Sequence, residues 1–120
     1  LYKPTAAERN FAIFHPIAAT YFFINADYSE TYAASRYSGE EDGAQDAIRH
    51  ALWNALNAED QGEDLAAEFA LYHESNNQFR HNPVGVSMDL HNNAIGRKIA
   101  KDNPNLSKEE LAKLCYIDHI

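Results

Sequence analysis

A single cysteine, Cys115, stands in a sequence of 120 residues. An internal disulfide needs two cysteines and a CxxC zinc site needs a pair, so both are excluded. Cys115 therefore reads as a small core residue. Positive charge is scarce as well: 10 Lys and Arg stand against 18 Asp and Glu, a formal net charge of -8. A domain that grips nucleic acid usually carries a basic stripe, and none is visible. A nucleic-acid role is disfavoured rather than excluded, because a bound metal supplies positive charge of its own. No run is long and apolar enough to span a membrane. The nearest, "FAIFHPIAATYFFI", is interrupted by His15 and Pro16. No signal-peptide pattern is present. The chain starts at Leu1 without a methionine and reads as a domain cut from a longer protein. Strand signals are also absent.

What is present is helix. Hydrophobic residues make up 45% of the chain, enough for one domain with one core, and apolar positions recur at helical spacing almost throughout. Thr5 and Glu8 form a capping box that opens the first helix, and Pro16 breaks or restarts it. Residues 16 to about 37 form a second, aromatic and alanine-rich helical region. "SGEEDG" marks a loop. A third helix runs from about Ala44 to Asp60 and ends on Gly62. A fourth runs from about Asp64 to Ser75, and "NNQFRHNPVGV" reads as a polar loop. The fifth starts near Ser87 and ends before Pro104. Ser107 and Glu110 form a second capping box for a short last helix. The expected architecture is all-α: a compact single domain of five or six helices over residues 1–120. Residues 1–40 make an N-terminal helical region, 44–103 the motif-bearing helices and 107–120 the terminal helix.

Three of these helices carry polar groups where solvated or apolar residues belong. On the third, Ile48, Ala51, Leu52, Ala55 and Leu56 form the apolar face, while Asp46, His50, Trp53 and Asn57 cluster opposite, within about 60°. Asp46 and His50 are four apart, so the carboxylate can orient the imidazole and raise its basicity, with Arg49 alongside. A tryptophan on that face argues that it is covered by another helix. On the fourth, His73 falls in the middle of the apolar face made by Leu65, Ala66, Phe69 and Ala70, and Glu74 lies on its flank. On the fifth, His91, Ala94, Lys98, Lys101 and Asp102 read as the solvent face. Met88, Leu90, Ile95 and Ile99 read as the inner one, with Asp89, Asn92, Asn93, Gly96 and Arg97 among them. Asp89, Asn93 and Arg97 step by four along one stripe. Such a stripe is destabilising unless paired, and belongs to a structural network or an active site. The three helices are expected to converge on one internal cleft lined by Asp46, Arg49, His50, His73, Glu74, Asp89, Asn93 and Arg97, with Trp53 closing it against water.

"DAIRHALWNAL", "YHESN" and "MDLHNNAIGRKI" together resemble a poorly characterised helical domain found at the carboxyl ends of bacterial polymorphic toxins and secreted surface proteins. The pattern of that domain is RHxxW, then HE, then DLxNNxxGR. Here it falls on Arg49, His50 and Trp53; on His73 and Glu74; and on Asp89, Leu90, Asn92, Asn93, Gly96 and Arg97. The resemblance spans residues 43–99. It implies a terminal effector domain, delivered into a target cell or secreted as part of a larger parent protein and neutralised in the producer by a cognate immunity protein. A fainter likeness, to bacterial phospholipases A2 with their Arg-His-Asp motif, stops at Ala51, which stands where that motif has its acid.

From the residues, the first functional reading is a hydrolase acting on a phosphoester or carboxyl ester, of a lipid or a nucleotide. His50 is the general base oriented by Asp46, Arg97 or Arg49 stabilises developing negative charge, and Glu74 belongs to the same catalytic group. Trp53, Asn92 and Asn93 contact substrate. His73 and Asp89, with Glu74, can hold a divalent metal, zinc, magnesium, manganese or calcium, although a metal-free scheme works equally well. The second reading is a non-enzymatic module that acts through a partner or by disturbing a membrane, its polar stripe merely fixing helix packing. On that reading the aromatic run "TYFFINADYSETYAASRY" is an interaction surface rather than a core helix with tyrosines at its rim. A weaker third reading, a metal-dependent nuclease, requires a basic rim drawn from Arg36, Arg49, Arg80, Arg97 and Lys98.

Overall fold

In a computed structural model that describes residues 2–36, 43–77 and 83–119, α3 (Ala44–Gln61) is the axis of the molecule. It packs against α2 (Pro16–Arg36), α4 (Glu63–Asn77), α5 (Pro83–Asp102) and α6 (Lys108–His119), while α1 (Ala6–Phe14) packs on α2 and α4. A radius of gyration of 13.2 Å is what one compact domain of this length should have. The fold is all-α. No helix among the described residues is long and apolar enough to cross a membrane.

The helix ends follow the local chemistry. Thr5 caps α1: its hydroxyl accepts from the Glu8 N–H at 3.1 Å, and Glu8 Oε1 accepts from the Thr5 N–H at 2.8 Å. The same box recurs at α6 between Ser107 and Glu110, at 3.1 and 2.9 Å. Pro16 is the first residue of α2, where a missing N–H does no harm. Gly62 ends α3 at φ +94°, a conformation that favours glycine. Helix α5 corrects the sequence reading, since it begins at Pro83 rather than near Ser87. Proline suits the first turn for the reason it suits α2, so Pro83 opens a helix instead of marking a loop. "SGEEDG" before Gly43, and residues 78–82 of the polar loop, lie outside the described residues.

Two apolar clusters flank α3. One joins Leu52, Leu56 and Ala55 to Ile99, Leu111 and the fully buried Cys115 of α5 and α6. The other joins Trp53 to Phe11, Phe22 and Phe69 of α1, α2 and α4. With both flanks occupied, the third face of α3, which carries His50, turns toward α4 and α5. Helix α5 approaches closely because residue 96 is glycine. A Cβ there would lie 1.9 Å from the Ala51 carbonyl oxygen.

Candidate functional site

The polar residues of α3, α4 and α5 meet around His50, which is 2% exposed. Its Nδ1 lies 2.9 Å from the Asp46 backbone carbonyl. A carbonyl only accepts, so Nδ1 carries a proton and Nε2 faces inward. The Asp46 carboxylate, expected to orient the ring, is 3.6 Å from Nδ1 and instead takes Arg49 Nη2 at 2.6 Å. The i,i+4 spacing thus does its work through the main chain.

His50 Nε2 stands 3.4 Å from Glu74 Oε2 and 3.5 Å from Asp89 Oδ2. Both separations exceed the 2.7–2.9 Å typical of charge-assisted N–H···O bonds, and Nε2 has no hydrogen-bond partner among the described residues. Glu74 Oε1 and Asn93 Oδ1 are likewise buried and unpartnered, while Asn93 Nδ2 donates to Glu74 Oε2 at 3.2 Å. Three of the buried orphan atoms of the domain therefore belong to adjoining side chains.

His73 extends the group toward α1. Its Nδ1 donates to Glu8 Oε2 at 2.7 Å. Glu8 is fully buried and is held by the Thr5 N–H and by the Tyr2 hydroxyl, which is 2.8 and 2.7 Å from its two oxygens. The sequence reading missed Glu8 and Tyr2. Glu8 was already explained as a cap, and one carboxylate serves both purposes. Tyr2 precedes the first helix and belongs to no periodic pattern.

The charges in the group oppose and support one another. Burial, with Glu74 and Asp46 nearby, pushes the Asp89 carboxyl up to about 6. Burial works against the charged His50 ring, but the carboxylates of Glu74, Asp46 and Asp89 still raise it above the ordinary histidine value. Burial also opposes ionisation of Glu74 and Glu8. For Glu74 the two histidines, and for Glu8 the bonds from His73 and Thr5, hold the carboxyl below the usual range. Asp46 and Arg49 are the solvent edge, with side chains 38% and 32% exposed, and Asp89 lies just inside at 9%.

The structure thus brings together Asp46, Arg49, His50, His73, Glu74, Asp89 and Asn93. Three expected residues lie elsewhere. Arg97 is further along α5, where Nη1 donates to Asn54 Oδ1 at 2.8 Å and Asn54 Nδ2 donates to the His50 carbonyl at 3.1 Å. It braces the backbone of His50 from behind. Asn92 faces outward and lines a surface hollow with Val84, Ser87, Met88 and His91. Trp53, 3% exposed, donates its indole N–H to the Phe22 carbonyl at 2.8 Å, so it is a core residue whose ring backs His73 at a centroid distance of 4.9 Å. Met88 and Leu90, expected inside, are 52% and 37% exposed. The supposed basic rim is dispersed: Arg36 lies over the Tyr32 ring, Arg49 pairs with Asp46, and Lys98 pairs with Asp102, while Arg80 lies outside the described residues.

A family model described as "Domain of unknown function (DUF6973)" matches residues 9–118. The chain belongs to the DUF6973 family. No curated protein and no solved structure matches it. The DUF6973 match takes in His50, His73, Glu74, Asp89 and Asn93, whereas Tyr2 and Glu8 stand just before it.

Proposed function

We propose that this DUF6973 domain is a hydrolase of phosphoester or carboxyl-ester bonds. The observation that carries the reading is the buried His50 Nε2, unpartnered and faced by Glu74 and Asp89. Groups so placed are costly to bury and are suited to handling a water molecule and its proton. Asp89 accepts the proton as water attacks, His50 fixes the attacking oxygen, and Arg49 at the solvent edge meets the charge that develops on the substrate. A net charge of -8 favours a lipid or small phosphoester over polymeric nucleic acid. On the resemblance of its motifs, the domain is a terminal effector of a secreted bacterial protein, carried by a larger parent and neutralised by an immunity protein.

The test pairs chromogenic phosphodiester and carboxyl-ester substrates with growth of bacteria that express the domain inducibly. Asp89→Asn and His50→Ala, each checked by circular dichroism, should abolish hydrolysis and growth arrest together. Folded variants that remain fully toxic would refute the reading.

A second reading has an observation of its own. Ile13, Phe14 and Ile17 at the α1–α2 corner are 71%, 78% and 71% exposed. Large exposed apolar side chains gathered in one place are usually covered by something. On this reading the domain acts by binding a protein partner, and Phe14→Ser with Ile17→Ser would abolish toxicity while Asp89→Asn would leave it intact.

A further inference from the structure

We propose that His50, His73 and Glu74 hold one first-row divalent cation, zinc foremost, and that Glu8 is the carboxylate that orients His73 for it. The proposal deepens the hydrolase reading, with the cation rather than the His50 nitrogen itself holding the attacking oxygen, and its test is independent of catalysis.

The donor atoms of His50, His73 and Glu74 lie within 4.8 Å of one another. Each histidine has its Nδ1 committed, His50 to the Asp46 carbonyl and His73 to Glu8 Oε2. Metal-binding histidines are fixed in the same way, one nitrogen donating to a carbonyl or carboxylate while the other faces the ion. Glu8 is satisfied by Tyr2, Thr5 and His73, so it orients rather than ligates. Glu74 is the reverse. Its Oε2 faces His50 Nε2 and takes a bond of 3.2 Å from Asn93, while its Oε1 is buried without a partner.

One donor pair already has the spacing of two ligands, and the whole set lies within 4.8 Å. Zinc bonds of about 2.0–2.1 Å arranged tetrahedrally put neighbouring donors about 3.3–3.4 Å apart. His50 Nε2 and Glu74 Oε2 are 3.4 Å apart, too long for a strong hydrogen bond and right for two ligands of one ion. The charge also fits. Glu74, Asp89, Asp46 and Glu8 crowd two imidazoles, and Arg49, the nearby cation, is already paired with Asp46. Two imidazoles and a carboxylate without thiolate suit zinc and its first-row neighbours rather than magnesium or calcium, which prefer oxygen alone. Three protein ligands leave a position for water, and a cation bound there would make that water more acidic. Asp89, 3.5 Å from His50 Nε2 and outside the group formed by His50, His73 and Glu74, is placed beside the ion rather than among its three ligands.

The test uses untagged domain stripped with chelator. Cobalt is titrated and followed by its visible absorption, and zinc is followed by bound metal per chain and by thermal unfolding. One cation per chain, a cobalt spectrum of four-coordinate nitrogen–oxygen type and a raised unfolding temperature are expected. His73→Gln and Glu74→Gln should abolish that binding. Glu8→Gln, which leaves every ligand in place, should weaken it about ten- to a hundredfold. His91→Gln, on the exposed face of α5, should bind as the parent does. Parent protein that takes up neither ion, or binding indifferent to both His73→Gln and Glu74→Gln, would overturn the site. The cobalt spectrum of the parent decides the matter even if those variants fail to fold. Metal bound without any hydrolysis refutes the hydrolase and leaves the site standing. Parent protein that hydrolyses its substrate yet takes up neither ion refutes the site and leaves the hydrolase.

Discussion

Gly96→Ala separates two forces that act in opposite directions. Alanine is the better helix former by about 1 kcal/mol, so on propensity alone the substitution stabilises α5. The packing says otherwise. The new Cβ would lie 1.9 Å from the Ala51 carbonyl oxygen, 2.7 Å from its carbon and 2.9 Å from the Ala51 Cα. Ordinary contact begins near 3.4 Å, so α3 and α5 would have to part by 1.5 Å at that point. All three atoms are backbone, and no rotamer change relieves the clash. Overpacking of this kind costs about 1–3 kcal/mol, occasionally more. The upper end applies where backbone meets backbone, leaving a net loss of about 2 kcal/mol after the propensity gain. Urea unfolding followed by Trp53 fluorescence should show a midpoint lowered by more than about 1 M, with an unchanged slope. The control is Ala94→Gly at an exposed position of the same helix, which should lose only about 1 kcal/mol. A Gly96→Ala domain as stable as the parent, or more so, would refute the close α3–α5 approach and with it the placement of Asp89 beside His50.

Three further outcomes are expected. Asp89→Asn should stabilise the metal-free domain at pH 8 by about 1–2 kcal/mol once solvent screening is allowed for. A carboxyl raised from 3.8 to about 6 contributes its stability below pH 3.8 and loses it as pH rises through 6. The gain should therefore vanish at pH 4 in denaturant titrations, and a destabilised variant at pH 8 would contradict the crowding of carboxylates. Asn54→Ala removes the bond from Arg97 and the one to the His50 carbonyl. It should cost about 2 kcal/mol in the same assay, because Arg97 is left half-buried and unpaired; a loss within experimental error would show that Arg97 braces nothing. Trp53 is the single tryptophan, and its ring lies 4.9 Å from that of His73. Cobalt bound at the proposed site should quench its emission in proportion to occupancy, whereas emission that stays constant through saturation would place the ion elsewhere.

Much of this arrangement is legible in the sequence, because helical periodicity is a local rule. Capping boxes at Thr5 and Ser107 and the glycine at 62 mark helix ends through contacts no more than four residues long. Asp46 and His50, and His73 and Glu74, are similarly local, and each pair lands in the site. The failures come where the rule is stretched. Steps of four along α5 advance about 40° and 6 Å each, so from Asp89 to Arg97 the stripe has turned about 80° and climbed about 12 Å. Asn93 still reaches Glu74, but Arg97 has passed the site and meets Asn54 instead. Met88 and Leu90 flank Asp89 at about 100° on either side, which puts them at the rim when Asp89 points inward. Glu8 could not be found by spacing at all. Its partner His73 lies 65 residues away, and only the packing of α1 on α4 joins them.

The domain contains two kinds of buried polar contact, and their difference bears on what the His50 group is for. Arg97, Asn54 and the His50 carbonyl pair donor with acceptor across α3 and α5, and Asn25 Nδ2 reaches Asn57 and Asp60 at 3.0 Å each across α2 and α3. Both tie helices together through donor–acceptor pairs, although Asn25 Oδ1 is itself buried without a partner. Around His50 the rule is broken. Asp46, Glu74 and Asp89 approach one imidazole, the nearest contacts to its Nε2 are too long to be good hydrogen bonds, and one carboxyl is driven up to about 6 by burial and its neighbours. Well-packed apolar residues would serve helix packing at least as well as such a group. A network meant only to hold α3, α4 and α5 in register has no use for like charges facing one another. A site that receives a cation, or a water whose proton must be moved, requires that imbalance.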